Sequence, residues 1–311
     1  MRNIAIIGSG FCGLTIARKI RSGLADVSVY DKGGRPGGRV ASKTFGGRTY
    51  DYGPAFLPGS LANNIPTDQF IEKQLWPGSG SDGFIPPGGV ANFASQMANE
   101  IKSYQFCPVI KCLCKGETFS LVLEKSVVVE DIDTLVVTAP AEQSAELVKE
   151  IAPLLSDEIR QTVRMLPTWV VLLEIDQIIE LDPLLEVNSD IVKNIRSEHT
   201  KVGRRSGKQG SWFVIECSNY WSKEYVDKSP EWVSEAILDW FRNKFTSNFL
   251  VKTAAAHRWR YASTDLPLAR DFLRDDRGDL WIAGDWCLGD GIASAVKSGK
   301  IVGDKINIGL R

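Results

Sequence analysis

The sequence predicts an α/β fold in which a parallel-sheet domain is assembled from both ends of the chain around a smaller α+β region. Three observations carry this. Ile4-Ala5-Ile6-Ile7 is a short apolar run that breaks at glycine, gives way to helical spacing in Leu14, Ala17 and Ile20, and is followed by a second run, Val27-Ser28-Val29-Tyr30. The middle of the chain loses that character and carries two strongly apolar β-like runs, Trp169 to Ile175 and Trp212 to Cys217. After His257, glycine-punctuated α/β character resumes, with a strand at Leu280-Trp281-Ile282-Ala283 and a helix from about Ala293 to Ile306.

Between these landmarks the elements follow in order. From Phe45 to Gly89, frequent glycine, proline and polar residues with poor periodicity read as loops. Leu121-Val122-Leu123 and Val127-Val128-Val129 have the form of hairpin strands, and Thr134 to Thr138 that of a buried strand ending at Ala139-Pro140. A helical stretch runs through Leu147, Ile151, Leu154 and Leu155. The two apolar runs of the middle region are expected to pair across the polar segment between them. Ser229-Pro230-Glu231 starts a helix, with serine as cap and proline in the first turn, and Val233, Ala236, Ile237, Trp240 and Phe241 keep its apolar face. The expected domains are 1–150 with 255–311, discontinuous, and 151–254.

Composition narrows the function classes. A chain of 311 residues exceeds one ordinary domain, so two lobes are the default. Lys and Arg total 37 against 38 Asp and Glu, which leaves no global field to draw in nucleic acid or an anionic membrane. A small-molecule partner is favoured. The six cysteines show no C-x-x-C spacing and only two histidines are present, so no metal site is expected. The N-terminus lacks the apolar stretch of a signal peptide, and no uncharged run approaches the length of a membrane span. A cytoplasmic protein with reduced thiols is the expectation.

Gly8-Ser9-Gly10-Phe11-Cys12-Gly13 sits between strand and helix. Its first glycine makes the turn, its second lets backbone approach a pyrophosphate, and its third permits close helix packing. The helix N-terminus adds free N–H groups and partial positive charge. Asp31 follows the second strand, 18 positions past Gly13, where an acidic side chain accepts from ribose hydroxyls. Gly37-Gly38-Arg39 then places a guanidinium within reach of the phosphates. At the far end, Gly284-Asp285 closes a strand and Asp290 to Ala295 opens a helix, a second junction with unpaired N–H groups suited to the pyrimidine edge of a flavin.

These three segments, in this order, resemble the FAD-dependent amine oxidase-like superfamily and, more narrowly, its renalase-like branch. The resemblance extends through Asp51-Tyr52-Gly53, Ile85-Pro86-Pro87-Gly88-Gly89-Val90, Thr138-Ala139-Pro140, Trp212 to Ile215, Tyr220-Trp221-Ser222, His257 to Ala262 and Gly284 to Cys287. It implies a glutathione-reductase-like FAD-binding domain of Rossmann type with a smaller α+β substrate domain. It implies Gly8, Ser9, Gly10, Phe11 and Cys12 at the pyrophosphate, Asp31 on the adenosine ribose with Lys32 beside it, and Gly38 and Arg39 at the phosphates. Val109 falls where a backbone contact to adenine is expected. Gly53, Pro54, Gly284, Asp285, Ile292 and Ala293 complete the implied flavin site. The middle departs from the family: Lys201-Val202-Gly203-Arg204 replaces a Lys-Pro-Gly-Arg run, and Tyr52-Gly53-Pro54 replaces a His-Gly-Ala run.

The resemblance implies hydride transfer from a small molecule to flavin, with dioxygen as acceptor. In the renalase-like branch that substrate is an NAD(P)H-like dihydronicotinamide dinucleotide isomer. A flavin amine oxidase, or a non-catalytic FAD-binding or redox-sensing protein, stands as the alternative. Cys287 lies outside the turn that amine oxidases use for a thioether, so non-covalent FAD is expected. His257, Tyr261 and Trp286 are the candidate catalytic residues. Trp212 and Trp259 join Tyr261 and Trp286 as a candidate aromatic wall for flat or cationic substrates. Glu216 follows an apolar run and is a candidate cavity carboxylate. Arg196, Lys201, Arg204, Arg205 and Lys208 form a basic run whose sharper reading is contact with substrate phosphates.

Overall fold

Strand β1 (Arg2–Ile7) buries Ile4, Ala5, Ile6 and Ile7 in succession, the pattern of a central parallel strand covered on both faces. In the computed structural model, all residues are described except 22, 62–73, 77–82, 87, 100, 202, 205–209, 246–247 and 311. Helix α1 (Phe11–Lys19) and strand β2 (Ala25–Asp31) complete the opening unit. The chain divides into two units, one of Met1–Gly38, Phe93–Met165 and Thr264–Arg311, the other of Arg39–Asn92 and Leu166–Ser263. The segment 39–92 thus clusters with the middle of the chain.

The first unit is built on a six-stranded sheet. From one edge the order is Leu273–Arg274, Leu280–Ile282, Thr134–Val137, β1, β2 and Ser103–Phe106. Every neighbouring pair is parallel except the first. Register fixes what lies at the carboxyl ends: Ile7 pairs with Tyr30 and Val137, Val137 pairs with Ile282, and Asp31 pairs with Phe106. The residues that follow, Gly8, Thr138 and Gly284, therefore emerge at one end of the sheet, the end at which open parallel sheets bind ligands. The final helix, Gly291–Gly309, packs against α1. The expected hairpin is present as Thr118–Leu123 against Val128–Ile132, with Val109–Lys115 as its third strand. The helix expected through Leu147 to Leu155 is two helices, Ala141–Val148 and Pro153–Thr162. Pro153 lacks an N–H and restricts Ala152, whose ψ of 68° is not helical, so one helix ends and another starts with proline in its first turn.

The second unit holds a five-stranded sheet ordered Leu184–Glu186, Val192–Ser197, Ser211–Cys217, Arg164–Ile175 and Val251–Leu266. The two apolar runs pair antiparallel, from Val170 against Glu216 to Ile175 against Ser211. Side-chain alternation then divides the sheet into two faces. Trp169, Val171, Leu173, Phe213 and Ile215 pack with Val233, Ile237 and Phe241 of helix Pro230–Lys244, whose cap Ser229 accepts from the Trp232 N–H. Val170, Leu172, Trp212 and Val214 pack on Tyr50, with Tyr52 and Trp259 at the margin. The stretch read as loops also contains the short strands Ser42–Phe45 and Arg48–Asp51, which pair, and a three-stranded sheet of Leu57–Pro58, Gly83–Ile85 and Gln74–Leu75. Among the described residues, no helix is long and apolar enough to cross a membrane.

Candidate functional site

The turn after β1 is shaped by two of its three glycines. Gly8 has φ +106°, and a Cβ there would come within 2.7 Å of the Thr138 hydroxyl. A Cβ at Gly13 would overlap the Gly8 carbonyl oxygen, so the start of α1 and the end of β1 approach as only glycine allows. Gly10 is different. It is the N-cap of α1 with φ −66° and ψ 174°, angles open to any residue, and a Cβ there would meet no atom within 4 Å. The first turn of α1 has no side-chain cap. Phe11 and Cys12 are buried beneath it, and Phe11 stacks on Phe93 with centroids 5.9 Å apart.

Asp31 stands beside this turn. Its Oδ2 accepts from the Ser9 N–H at 2.6 Å and from the Ser9 hydroxyl at 2.7 Å, and its Oδ1 accepts from the Gly33 N–H at 2.7 Å. A carboxylate offers about four lone-pair positions, so three are engaged and one remains for a ligand hydroxyl. Gly37 donates to the Ser9 carbonyl, which brings Gly38 alongside Gly10, and Lys32 is exposed. Val109 is half-buried at the start of its strand.

On the other side of β1, Thr138 Oγ1 donates toward the Ile7 and Gly8 carbonyls, and Ala283 donates to the Val137 carbonyl. Gly284 and Asp285 follow directly, with Asp285 buried. Ile292 is half-buried and Ala293 exposed in the first turn of helix Gly291–Gly309, whose N-cap Asp290 directs its carboxylate to the Thr264 N–H instead of capping the helix. Trp286 is fully buried and donates to the Ala139 carbonyl at 3.0 Å. Cys287 is buried too, and burial pushes its thiol well up. Thus Gly8, Ser9, Gly10, Asp31, Gly38, Gly284, Asp285, Ile292 and Ala293 all belong to the first unit, with Gly8, Asp31 and Gly284 at or just past the ends of its strands.

The second unit holds Arg39, Gly53, Pro54, His257 and Tyr261. Arg39 Nη1 donates to the Ala262 carbonyl at 2.9 Å. His257, Trp259 and Tyr261 alternate along strand Val251–Leu266 and so share a face, a spacing of two that is visible in the sequence. Tyr52 joins them: it stacks on Trp259 with centroids 5.3 Å apart and meets His257 edge-on at 4.9 Å. His257 and Trp259 centroids are 4.4 Å apart. Burial, with help from Lys43, holds the His257 imidazole below its usual range. The Trp259 indole donates to the Tyr52 carbonyl.

The described members of the basic run, Arg196, Lys201 and Arg204, are paired within the protein. Lys201 Nζ lies 2.9 Å from Asp51 and 2.6 Å from Glu198, and all three side chains are fully buried. Arg204 pairs with Asp51 at 2.6 Å, pairs also with Glu198, and donates to the Thr49 carbonyl. Asp51 accepts further from the Ser42 hydroxyl and the Val90 N–H. Burial would raise the Asp51 carboxyl, but Lys201 and Arg204 outweigh it and bring it down to about 2. Arg196 donates to the Asp51 and Gly53 carbonyls and pairs with Glu216 at 3.3 Å. Glu216 also binds Lys193 at 2.9 Å; against the effect of burial, Arg196 and Lys193 hold its carboxyl below the usual range. Val202, Arg205, Lys208 and Pro87 lie outside the described residues.

Residues 6–70 match the family model described as NAD(P)-binding Rossmann-like domain. Over 99% of both chains, the structure is similar to a protein from Exiguobacterium sp. 255-15 provisionally named protoporphyrinogen oxidase, with TM-score 0.77 and 12% identity. Cyclohexylamine oxidase from Brevibacterium oxydans IH-35A gives TM-score 0.73 at 14% identity, again over 99% of both chains. Putrescine oxidase bound to putrescine gives 0.71 at 11% identity over 98% of both. At such identities the likeness is one of fold: this chain has the mixed α/β fold of these proteins, and its first part matches a Rossmann-like family model.

Proposed function

We propose that this chain is an FAD-dependent oxidoreductase that oxidises a small-molecule amine, with dioxygen as electron acceptor. The observation that carries the cofactor assignment is the open space at Gly10. The chain's own packing requires glycine at Gly8 and Gly13 but not at Gly10, where serine or aspartate would cap α1 better. A phosphate approaching the uncapped N–H groups of α1 accounts for the missing side chain. Gly8, Ser9, Gly10, Phe11 and Cys12 would hold the pyrophosphate, Asp31 the ribose through its remaining lone pair, and Gly284, Asp285, Ile292 and Ala293 the flavin end. Arg39, Gly53 and Pro54 rest on the family resemblance alone. The depth and high pKa of Cys287 disfavour a thioether, which supports non-covalent FAD.

A bound flavin supplies a two-electron acceptor for hydride and a route for those electrons to dioxygen. In the overall reaction a primary amine loses a hydride from carbon and a proton from nitrogen to become an imine, and dioxygen becomes hydrogen peroxide. Two observations support an amine. Tyr52, His257 and Trp259 present an aromatic cluster suited to an alkylamine, with a depressed imidazole that stays neutral near pH 7 and can accept a hydrogen bond from the amine. Two structural neighbours carry amines in their names. The dihydronicotinamide reading keeps less support from the basic run, because Arg196, Lys201 and Arg204 are committed to Glu216, Asp51 and Glu198, while Arg205 and Lys208 lie outside the described residues. The purified protein should be yellow and release FAD on denaturation, and anaerobic alkylamines should bleach it. A colourless preparation that FAD does not reconstitute rejects the cofactor; bleaching by dihydronicotinamide dinucleotides, with amines inert, rejects the amine.

A further inference from the structure

Phe106 is the last residue of the edge strand Ser103–Phe106, and 54% of it is exposed. A single exposed aromatic is ordinary on a protein surface, so its surroundings decide what it can do. Register places it directly beside Asp31, and alternation puts Tyr104 and Phe106 on the same face as Asp31. The two rings are in contact, with centroids 4.6 Å apart at 51°. Tyr104 is itself unusual. Its hydroxyl is buried close to the Ser9 hydroxyl and the Asp31 carboxylate, yet makes no hydrogen bond of good geometry with any described residue. An exposed aromatic face, an unsatisfied hydroxyl and a carboxylate with one lone pair remaining thus sit together at the carboxyl end of a parallel sheet.

We propose that Tyr104 and Phe106 form an aromatic step that binds the adenosine moiety of the dinucleotide, with Phe106 stacking on the purine and the Tyr104 hydroxyl bonding its ribose. This rests on the FAD assignment and adds to it the residues that select a dinucleotide over a flavin mononucleotide. A purine has a planar π-face for Phe106 and a ribose diol for Asp31 and Tyr104; riboflavin phosphate has no second nucleoside to offer. The other occupant that an exposed edge-strand aromatic invites is a protein partner, and that is an outcome of the test.

The test is calorimetric titration of the flavin-stripped full-length protein with ADP, FAD and riboflavin phosphate. Stacking of one base is worth ~5- to 100-fold in affinity, so Phe106→Ala should weaken ADP and FAD by that factor and leave riboflavin phosphate unchanged. Phe106→Trp should retain or tighten both, and Tyr104→Phe should weaken ADP by ~2- to 10-fold, the worth of one neutral hydrogen bond. Phe106 is exposed, so its variants should fold, which circular dichroism checks. If wild type binds FAD and ADP but Phe106→Ala binds them equally well, the aromatic step is wrong while the FAD assignment stands, as it does if the variant instead changes only self-association. If wild type binds neither ligand, both are wrong.

Discussion

The Asp31 carboxylate accepts both the backbone N–H and the side-chain hydroxyl of Ser9, which ties the end of β2 to the turn that follows β1. Ser9 is fully buried, so its N–H has no water to fall back on. Asp31 therefore shapes the turn after β1, apart from the ribose contact proposed for it.

Replacing Asp31 by alanine should act on both roles. Losing one hydrogen bond to a charged acceptor is worth about 1.5–3 kcal/mol, which predicts a ~10- to 100-fold loss of FAD affinity. The stripped protein should also lose about 1–3 kcal/mol of stability from the orphaned Ser9 N–H. Fluorescence titration with FAD and urea unfolding separate the two; affinity equal to wild type would remove Asp31 from the ribose site.

Gly10 and Gly13 should respond in opposite ways to a small side chain. Gly10→Ser places a favoured cap at the start of α1 with nothing to clash against, so the stripped protein should keep its stability within ~1 kcal/mol while FAD affinity falls. Gly13→Ala drives a methyl into the Gly8 carbonyl and should lower the melting temperature whether or not flavin is present. A Gly10→Ser protein with undiminished FAD binding would contradict the phosphate site.

Arg204→Ala should be a stability variant. It strips a partner from the fully buried carboxylates of Asp51 and Glu198, and breaking a buried pair in this way costs about 3–5 kcal/mol. Thermal unfolding should shift strongly, while the KM of whatever fraction folds stays near wild type. A large KM change without loss of stability would return Arg204 to the substrate.

The same network predicts acid sensitivity. The folded Asp51 carboxyl is depressed to about 2, below its unfolded value, so its contribution is complete above about pH 4 and is lost as pH falls through 2. The contribution is about 2 kcal/mol. Urea unfolding at pH 5, 3 and 2 should show stability declining with pH, and Asp51→Asn should flatten that decline while lowering stability at pH 5. An unchanged slope in the variant would assign the acid limb to other groups.

What the sequence determined by itself is what short-range chemistry dictates. The run Ile4 to Ile7, the glycine turn, α1 and Asp31 are legible because strand alternation, helix spacing and turn chemistry act over a few residues. So are the helix capped by Ser229 and the antiparallel pair of apolar runs. The rest required tertiary structure. Arg196, Lys201 and Arg204 look alike in sequence as loop cations, and only folding brings Asp51, about 150 positions away, against Lys201 and Arg204 while Arg196 turns to Glu216 and the backbone of Asp51 and Gly53. Nothing in the local sequence marks Phe106, and only strand register sets it beside Asp31. Local periodicity cannot encode such pairings, because the free energy that selects them arises from charges and surfaces that meet only when distant segments are buried together.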